Sequence, residues 1–207
     1  MIGNIFVSTA IGLVACVLSL WMSVPQSVRI WRDRSCQGVS PLTWMLFCLT
    51  FSQWVGYGLR EHIWVAFGGN VLALITASTI LLGIHRARPR PGDARVGVFI
   101  GLAIVAAMLI GHNAPAAVVI VVQFAAFGVR LPQVYASYCT WRTLRASEVS
   151  RTTWWVSLAS GVAWLCYGIT LPDRVITIVS PTIIFASALV LLLEYLALAR
   201  RTQVGAP

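Results

Sequence analysis

The sequence contains no lysine, and charged residues of both signs make up only 10% of its 207 residues. A soluble domain carries about 25% charged residues, because its surface must be covered with groups that water solvates. Hydrophobic residues make up 58% of this chain, and the mean hydropathy is +0.83. The shortage of charge excludes an ordinary soluble domain and indicates an integral membrane protein.

The residue groupings typical of enzymes and metal sites are also missing. The five cysteines have no CxxC spacing, and we interpret them as packing residues without a disulfide or metal role. Without a nucleophile–base pair or a metal cluster, we predict no enzyme activity, no metal and no cofactor. The net charge of +9 does not indicate nucleic-acid binding, because the arginines lie between hydrophobic segments and not in a basic domain.

Uncharged hydrophobic runs recur along the chain, many of them about 20 residues long and able to cross a hydrocarbon core ~30 Å thick. They predict an all-α fold with seven transmembrane helices, near residues 5–24, 41–59, 63–84, 97–112, 115–135, 153–171 and 175–198. These helices leave no segment for a soluble domain. The first run is not expected to be a cleaved signal peptide, since no basic residue precedes it.

The arginines are distributed unevenly between the two sides of the predicted membrane helices. One side carries Arg60 and Arg174. The other side carries four clusters: Arg29, Arg32 and Arg34, then Arg86, Arg88, Arg90 and Arg95, then Arg142, Arg145 and Arg151, then Arg200 and Arg201. Because arginine-rich connections stay in the cytoplasm, the N-terminus is predicted outside and the C-terminus inside. The Arg-, Ala- and Val-rich composition favours a bacterial plasma membrane.

Two parts of the sequence repeat the same order of residues. A shift of 110 residues aligns these pairs: Trp31-Arg32 with Trp141-Arg142, Thr43-Trp44 with Thr153-Trp154, Trp54 with Trp164, and Tyr57-Gly58 with Tyr167-Gly168. Pro25-Gln26 recurs as Pro132-Gln133. The repeat predicts a first unit of three helices over 1–85 and a second over 114–199, with a basic loop and linker helix over 86–113 and a tail over 200–207. The linker helix gives both units the same orientation in the membrane.

This 3-1-3 arrangement, with Pro-Gln at the end of each unit's first helix, a basic loop and then Trp-x-x-Tyr-Gly, resembles the PQ-loop superfamily and, within it, the SWEET and SemiSWEET sugar transporters. The resemblance implies a membrane transporter that moves a mono- or disaccharide between its two repeats by alternating access. It also implies that the positions matching Trp54 and Asn70 line the substrate site. Ser180 departs from the pattern, because the family commonly has a second asparagine there, and this leaves the substrate's identity open.

Four side chains are expected at one depth of the cleft between the repeats: Trp54, Asn70, Trp164 and Ser180. Each lies seven or eight residues from the turn that joins the second and third helices of its own unit. Indole rings stack on the apolar C–H face of a pyranose, and an amide hydrogen-bonds to its hydroxyls. We therefore predict a sugar-binding site here. The structural alternative is that Asn70 bonds across helices and the tryptophans only pack.

Moving parts are expected at the two ends of this cleft. The candidate inner hinges are Pro25, Gln26, Pro132 and Gln133. Proline removes a helical N–H and disfavours helical geometry in the residue before it, so the helix can bend there. The candidate outer-gate residues are Tyr57, Tyr167, Arg60 and Asp173. The tyrosines resemble the family's outer-gate tyrosines, although anchoring in the aromatic belt is the alternative. Arg60 and Asp173 are predicted to form an ion pair that closes the outside.

The middle of the predicted helices contains no Asp, Glu, Lys or His, which favours facilitated diffusion of a neutral sugar over proton-coupled transport. Glu194 lies about 9 Å from the cytoplasmic boundary, where Arg130 or Arg200 is its expected partner. Two alternatives stay open: a PQ-loop transporter of amino acids or another small polar metabolite, with proton coupling, and a membrane scaffold that transports nothing. The expected partners are the solute and the lipid bilayer, with self-association left open.

Overall fold

The computed structural model describes residues 2–33, 41–87, 93–128, 130–143 and 151–204. Their helices, in chain order, are α1 (Ile2–Asp33), α2 (Pro41–Arg60), α3 (Trp64–Ala87), α4 (Asp93–Asn113), α5 (Ala116–Phe127), α6 (Leu131–Thr143), α7 (Arg151–Thr170) and α8 (Arg174–Val204). Some residues used above lie outside the described ranges: Arg34, Cys36, Arg88, Arg90 and Arg145. The predicted all-α class is confirmed for the described part of the chain.

Three helical segments within the described ranges are long and apolar enough to cross a membrane: Phe6–Val24, Trp64–Ala87 and Arg174–Gln203. Two shorter apolar helices cover Gly97–Asn113 and Ala116–Ala125. The α2 and α7 helices have 20 residues each, about 30 Å of helix, but they are less apolar than the three long segments. These lengths and compositions support an integral membrane protein, and the arrangement of seven spans stays a prediction.

The helix predicted over residues 115–135 is divided in two, so the described residues form eight helices where seven were predicted. The α5 helix ends at Phe127 and α6 begins at Leu131. Proline accounts for the break, because Pro132 lacks the N–H that a continuous helix would direct at the Gly128 carbonyl. In the first turn of α6 that N–H is not needed. The second Pro-Gln pair therefore starts a helix, and the prediction that it ends one is wrong.

The first Pro-Gln pair has a different backbone setting. The α1 helix continues through Pro25 to Asp33, well beyond the end predicted at residue 24. The side chains of Pro25, Gln26 and Pro132 lie outside those that the structure describes. Their role as hinges stays a prediction. Pro25 lies inside α1, whereas Pro132 lies in the first turn of α6.

The helices of the two predicted units pack in a matching order. In the first unit, α1 and α2 both pack against α3. In the second unit, the α5 and α6 pieces and α7 all pack against α8. Across the units, α1 packs against α7 and α2 packs against α5, while α4 lies on α2. The third helix of each unit is therefore its middle helix, and we call the α1–α7 and α2–α5 contacts the two seams.

The main buried core lies near the α2–α3 and α7–α8 turns, at what we call the turn end. Its buried members are Tyr57, Ile63, Ala66, Val119, Tyr167, Val175, Ile176 and Val179. Both units contribute to this cluster. Gly12 allows α1 to approach it, because a Cβ added there would come within 2.7 Å of the Tyr167 ring. The core therefore fixes the ends of α2 and α7 beside one another.

Candidate functional site

Each predicted site tryptophan lies edge-on to the tyrosine one turn further along its helix. The ring centroids of Trp54 and Tyr57 are 5.6 Å apart with an interplanar angle of 82°. Those of Trp164 and Tyr167 are 5.7 Å apart at 74°. Both tryptophans are partly buried and pack against the turn-end core cluster. The structure therefore brings the matching aromatic pairs of the two units to one place.

Asn70 and Ser180 are both buried and both hydrogen-bond within their own helices. The Asn70 amide nitrogen donates to the Ala66 carbonyl at 2.7 Å. The Ser180 hydroxyl donates to the Ile176 carbonyl, also at 2.7 Å. Ala66 and Ile176 belong to the core cluster, which places both polar side chains one turn away from it. Among the described residues, the Asn70 amide nitrogen bonds to a carbonyl four residues earlier on its own helix, and the bond across helices that the structural alternative required is not seen.

A hydrogen-bonded trio that sequence reasoning missed crosses the α1–α7 seam. The Trp164 indole N–H donates to the Ser19 hydroxyl oxygen at 3.0 Å, and the Ser19 and Ser160 hydroxyl oxygens are 2.8 Å apart. The Ser19 hydroxyl itself donates to the Ala15 carbonyl at 2.9 Å. The N–H of Trp164 is therefore already used, and its ring remains for a solute. The Trp54 indole N–H, in contrast, has no acceptor in the described part of the chain.

The two units are also joined at the turn end. The Tyr57 hydroxyl donates to Asp173 Oδ2 at 2.8 Å. The other carboxylate oxygen of Asp173 accepts the Ile176 backbone N–H at 2.7 Å, so this residue caps the N-terminus of α8. Because Tyr57 belongs to the first unit and Asp173 to the second, the bond links α2 directly to the start of α8.

The predicted ion pair between Arg60 and Asp173 is not formed. Arg60 Nε instead pairs with Glu61 Oε1 at 2.8 Å, and its Nη1 donates to the Ala114 carbonyl. The guanidinium also lies over the Tyr57 ring, 5.1 Å from its centroid. Both oxygens of Asp173 already have donors, as described above. At this position Tyr57, and not Arg60, therefore contacts the Asp173 side chain.

The predicted partners of Glu194 are also wrong. The Arg130 guanidinium lies 5.9 Å from the Phe47 ring centroid, and Arg200 donates to the Trp141 carbonyl at 3.3 Å. Glu194 is only 4% exposed, and its Oε1 has no hydrogen-bond partner among the described residues. The α8 helix therefore holds a buried carboxyl group that neither arginine contacts.

The remaining candidate residues add little to this site. Gln133 is the hinge residue whose side chain the structure describes, and its amide nitrogen lies 3.5 Å from the Ser137 hydroxyl on the same helix. The described cysteines, Cys16, Cys48, Cys139 and Cys166, are free thiols. No group of three His, Cys, Asp or Glu side chains that could hold a metal lies in the described ranges.

Comparison with known proteins identifies the type of unit that carries these features. Residues 7–67 match the family model of the PQ loop repeat. A stretch of 71 residues, 34% of this chain, is 25% identical to the sugar transporter SemiSWEET from Escherichia coli (strain UMEA 3162-1) and covers 80% of that protein. The residues matched by the family model include Trp54 and Tyr57. These matches support the assignment of the chain to the PQ-loop, SWEET-like membrane proteins.

Proposed function

We propose that this protein is a membrane transporter that moves a mono- or disaccharide down its gradient, as a uniporter working by alternating access. The observation that carries this proposal is the meeting of two matching tryptophan–tyrosine pairs, one from each unit, on a single core cluster. Indole rings provide flat apolar surfaces for the C–H face of a sugar. The SemiSWEET relative, which is described as a sugar transporter, supports the same class of solute.

The two units contribute different groups to the proposed sugar site. The Asn70 amide oxygen and the Trp54 indole N–H have no protein partners among the described residues, so the first unit supplies an acceptor and a donor for sugar hydroxyls. In the second unit, Trp164 already bonds to Ser19 and Ser180 to Ile176. The second unit therefore mainly supplies the stacking surface.

The contact between Tyr57 and Asp173 is the proposed outer latch of the transporter. Seven spans, with the turn end outside and the arginine-rich connections in the cytoplasm, would place this bond at the outer mouth of the cleft. Breaking it would let α2 separate from the start of α8. The hinges would then lie at the opposite end, near Pro25 and Pro132.

Uptake into proteoliposomes that contain the purified full-length protein tests the proposal. Labelled glucose and sucrose should enter without a pH gradient, and Trp54→Ala and Asn70→Ala should each abolish the uptake. The matched control is Trp21→Ala, since Trp21 is 63% exposed on α1 and lies away from the core cluster. If uptake survives in Trp54→Ala and also in Asn70→Ala, the proposed site is overturned.

Glu194 favours a second candidate function, proton-coupled transport of an amino acid or another small polar metabolite. Glu194 is buried in α8, and its Oε1 has no hydrogen-bond partner in the part of the chain that the structure describes. A buried carboxyl group of this kind is costly to keep ionised in a membrane, and such groups serve as proton relays in transporters. Uptake of an amino-acid panel that requires a pH step and is lost in Glu194→Gln would favour this function over sugar uniport. A protein that moves no solute from either panel would be a scaffold.

A further inference from the structure

Two buried amide side chains meet across the α2–α5 seam. Gln123 Nε2 on α5 donates to Gln53 Oε1 on α2, with the two atoms 2.6 Å apart. Gln53 is 1% exposed and Gln123 is 4% exposed. The bond joins the first unit to the second, as the Trp164–Ser19 bond does across the other seam.

One hydrogen-bonding group of this pair is left unused. The buried amide nitrogen of Gln53 has no partner among the described residues. A buried N–H without an acceptor is unfavourable, and an apolar side chain of the same size would avoid the cost. Packing between α2 and α5 therefore does not explain why an amide stands at this position, whereas a ligand atom that accepts from it would.

The pair lies at the level of the proposed sugar site. Gln53 directly precedes Trp54, and Gln123 is one turn beyond Val119, which is a member of the core cluster against which Trp54 packs. The α4 helix covers the adjacent backbone so closely that a Cβ on Gly111 would overlap the Gln53 carbonyl. The amides are therefore enclosed by protein and are not exposed to the bilayer.

We propose that Gln53 and Gln123 form a subsite that binds one hydroxyl of a neutral, hydroxyl-rich solute. The subsite rests on the proposed transport function. While the seam is closed, the two amides bond to each other. When it separates, a solute hydroxyl replaces that bond, since it accepts from an amide nitrogen and donates to an amide oxygen. Neither amide hydrogen-bonds to a charged side chain in the described residues, so the subsite fits an uncharged group.

A series of deoxy sugars tests the subsite in proteoliposomes that contain the full-length protein. The key variant is Gln53→Met/Gln123→Met, because replacing both partners by apolar groups of similar shape leaves no orphaned amide. For the wild type, one monodeoxy analogue of the transported sugar should show a KM about 10-fold higher than the parent, the effect of one lost hydrogen bond. In the double variant, the KM for the parent sugar should rise by about the same factor, and the difference between parent and analogue should disappear.

The matched control removes a buried interhelical hydrogen bond within one unit. Ser187 donates to Ser157 at 2.8 Å between α8 and α7, so Ser157→Ala/Ser187→Ala should keep the wild-type difference between parent and analogue. Gln53→Asn is a second site variant, which keeps the amide but withdraws it by one methylene group. It should also lose the selectivity for that hydroxyl.

The outcomes separate the subsite from the transport function. If the wild type transports a sugar and the site variants keep the wild-type ratio of KM between parent and analogue, the subsite alone is overturned. The Gln53–Gln123 bond then only packs α2 against α5. A wild type that moves neither glucose nor sucrose overturns both the proposed function and the subsite. If Ser157→Ala/Ser187→Ala also loses the KM difference between parent and analogue, that result counts against the subsite, because loosening any helix contact would then have the same effect.

Discussion

The hydroxyl of Tyr57 donates a 2.8 Å hydrogen bond to the carboxylate of Asp173, 116 residues further along the chain. A bond to an ionised acceptor is stronger than a neutral one and contributes about 1.5–3 kcal/mol. Because Asp173 also caps α8, the tyrosine is linked to the whole helix and not to a loose loop. The bond therefore joins the first unit to the second at the N-terminus of α8.

Removing the tyrosine hydroxyl should weaken the closed turn end. We expect Tyr57→Phe to cost the closed conformation about 2 kcal/mol, which shifts the opening equilibrium by about 30-fold. Cys16 is a native reporter, since it is buried on α1 one turn after Gly12, which lies against the Tyr167 ring of the second unit. A water-soluble thiol reagent, with modification followed by mass spectrometry, should label Cys16 much faster in Tyr57→Phe. Equal labelling in wild type and variant would show that the bond does not hold the turn end closed.

Asp173 has two separable functions, as the latch acceptor and as the cap of α8. Asp173→Ala should lose both and destabilise the protein by about 2–4 kcal/mol, whereas Asp173→Asn keeps a good capping side chain and should lose much less. Thermal unfolding of the detergent-solubilised protein measures the difference. If the two substitutions lower the melting temperature equally, the cap contributes nothing and the charge of Asp173 accounts for the whole effect.

The two site tryptophans should respond differently to phenylalanine. Trp164→Phe removes the bond to Ser19, so it and Ser19→Ala delete the same interaction and should be non-additive in a double-mutant cycle, with a coupling of about 1 kcal/mol in unfolding free energy. Trp54→Phe removes an N–H without a described partner and should mainly raise the KM for the sugar. Full additivity of the Trp164 and Ser19 substitutions would contradict the trio at the α1–α7 seam.

Replacing the hinge prolines should slow transport more than it weakens binding. Pro132→Ala restores the N–H that a continuous helix requires, so α5 and α6 should tend to join, and the maximal rate should fall several-fold with KM nearly unchanged. Pro25→Ala should also slow transport, but less, because α1 is already continuous there. Pro41→Ala, at the first residue of α2, is the control. A rise in KM without a loss of rate would mean that the prolines shape the site and are not hinges.

The sequence alone was sufficient to predict the features that depend on neighbouring residues in the chain. Hydrophobic runs located the helices to within a few residues at most ends, and the aligned Trp and Tyr positions do meet in the structure. The end of α5 at Phe127 and the start of α6 at Leu131 were missed because the hydrophobic run continues past them, and Pro132 was interpreted as the end of a helix. Proline is also favoured in the first turn of a helix, and that is where Pro132 lies in α6.

The contacts between distant helices were outside the reach of sequence reasoning. Tyr57 with Asp173, Ser19 with Trp164 and Gln53 with Gln123 are each separated by 70 or more residues. No periodicity indicates which polar side chains will meet across a seam. The partner predicted for Arg60 was wrong for a different reason, because its guanidinium pairs with the adjacent Glu61 and not with the distant Asp173.

The most direct test of the central claim is the uptake of labelled sugar by proteoliposomes without a pH gradient. The account predicts saturable entry of glucose or sucrose in the wild type, no entry in Trp54→Ala or Asn70→Ala, and normal entry in Trp21→Ala. Uptake that requires a pH step, or no uptake of either sugar by a correctly folded protein, would contradict it.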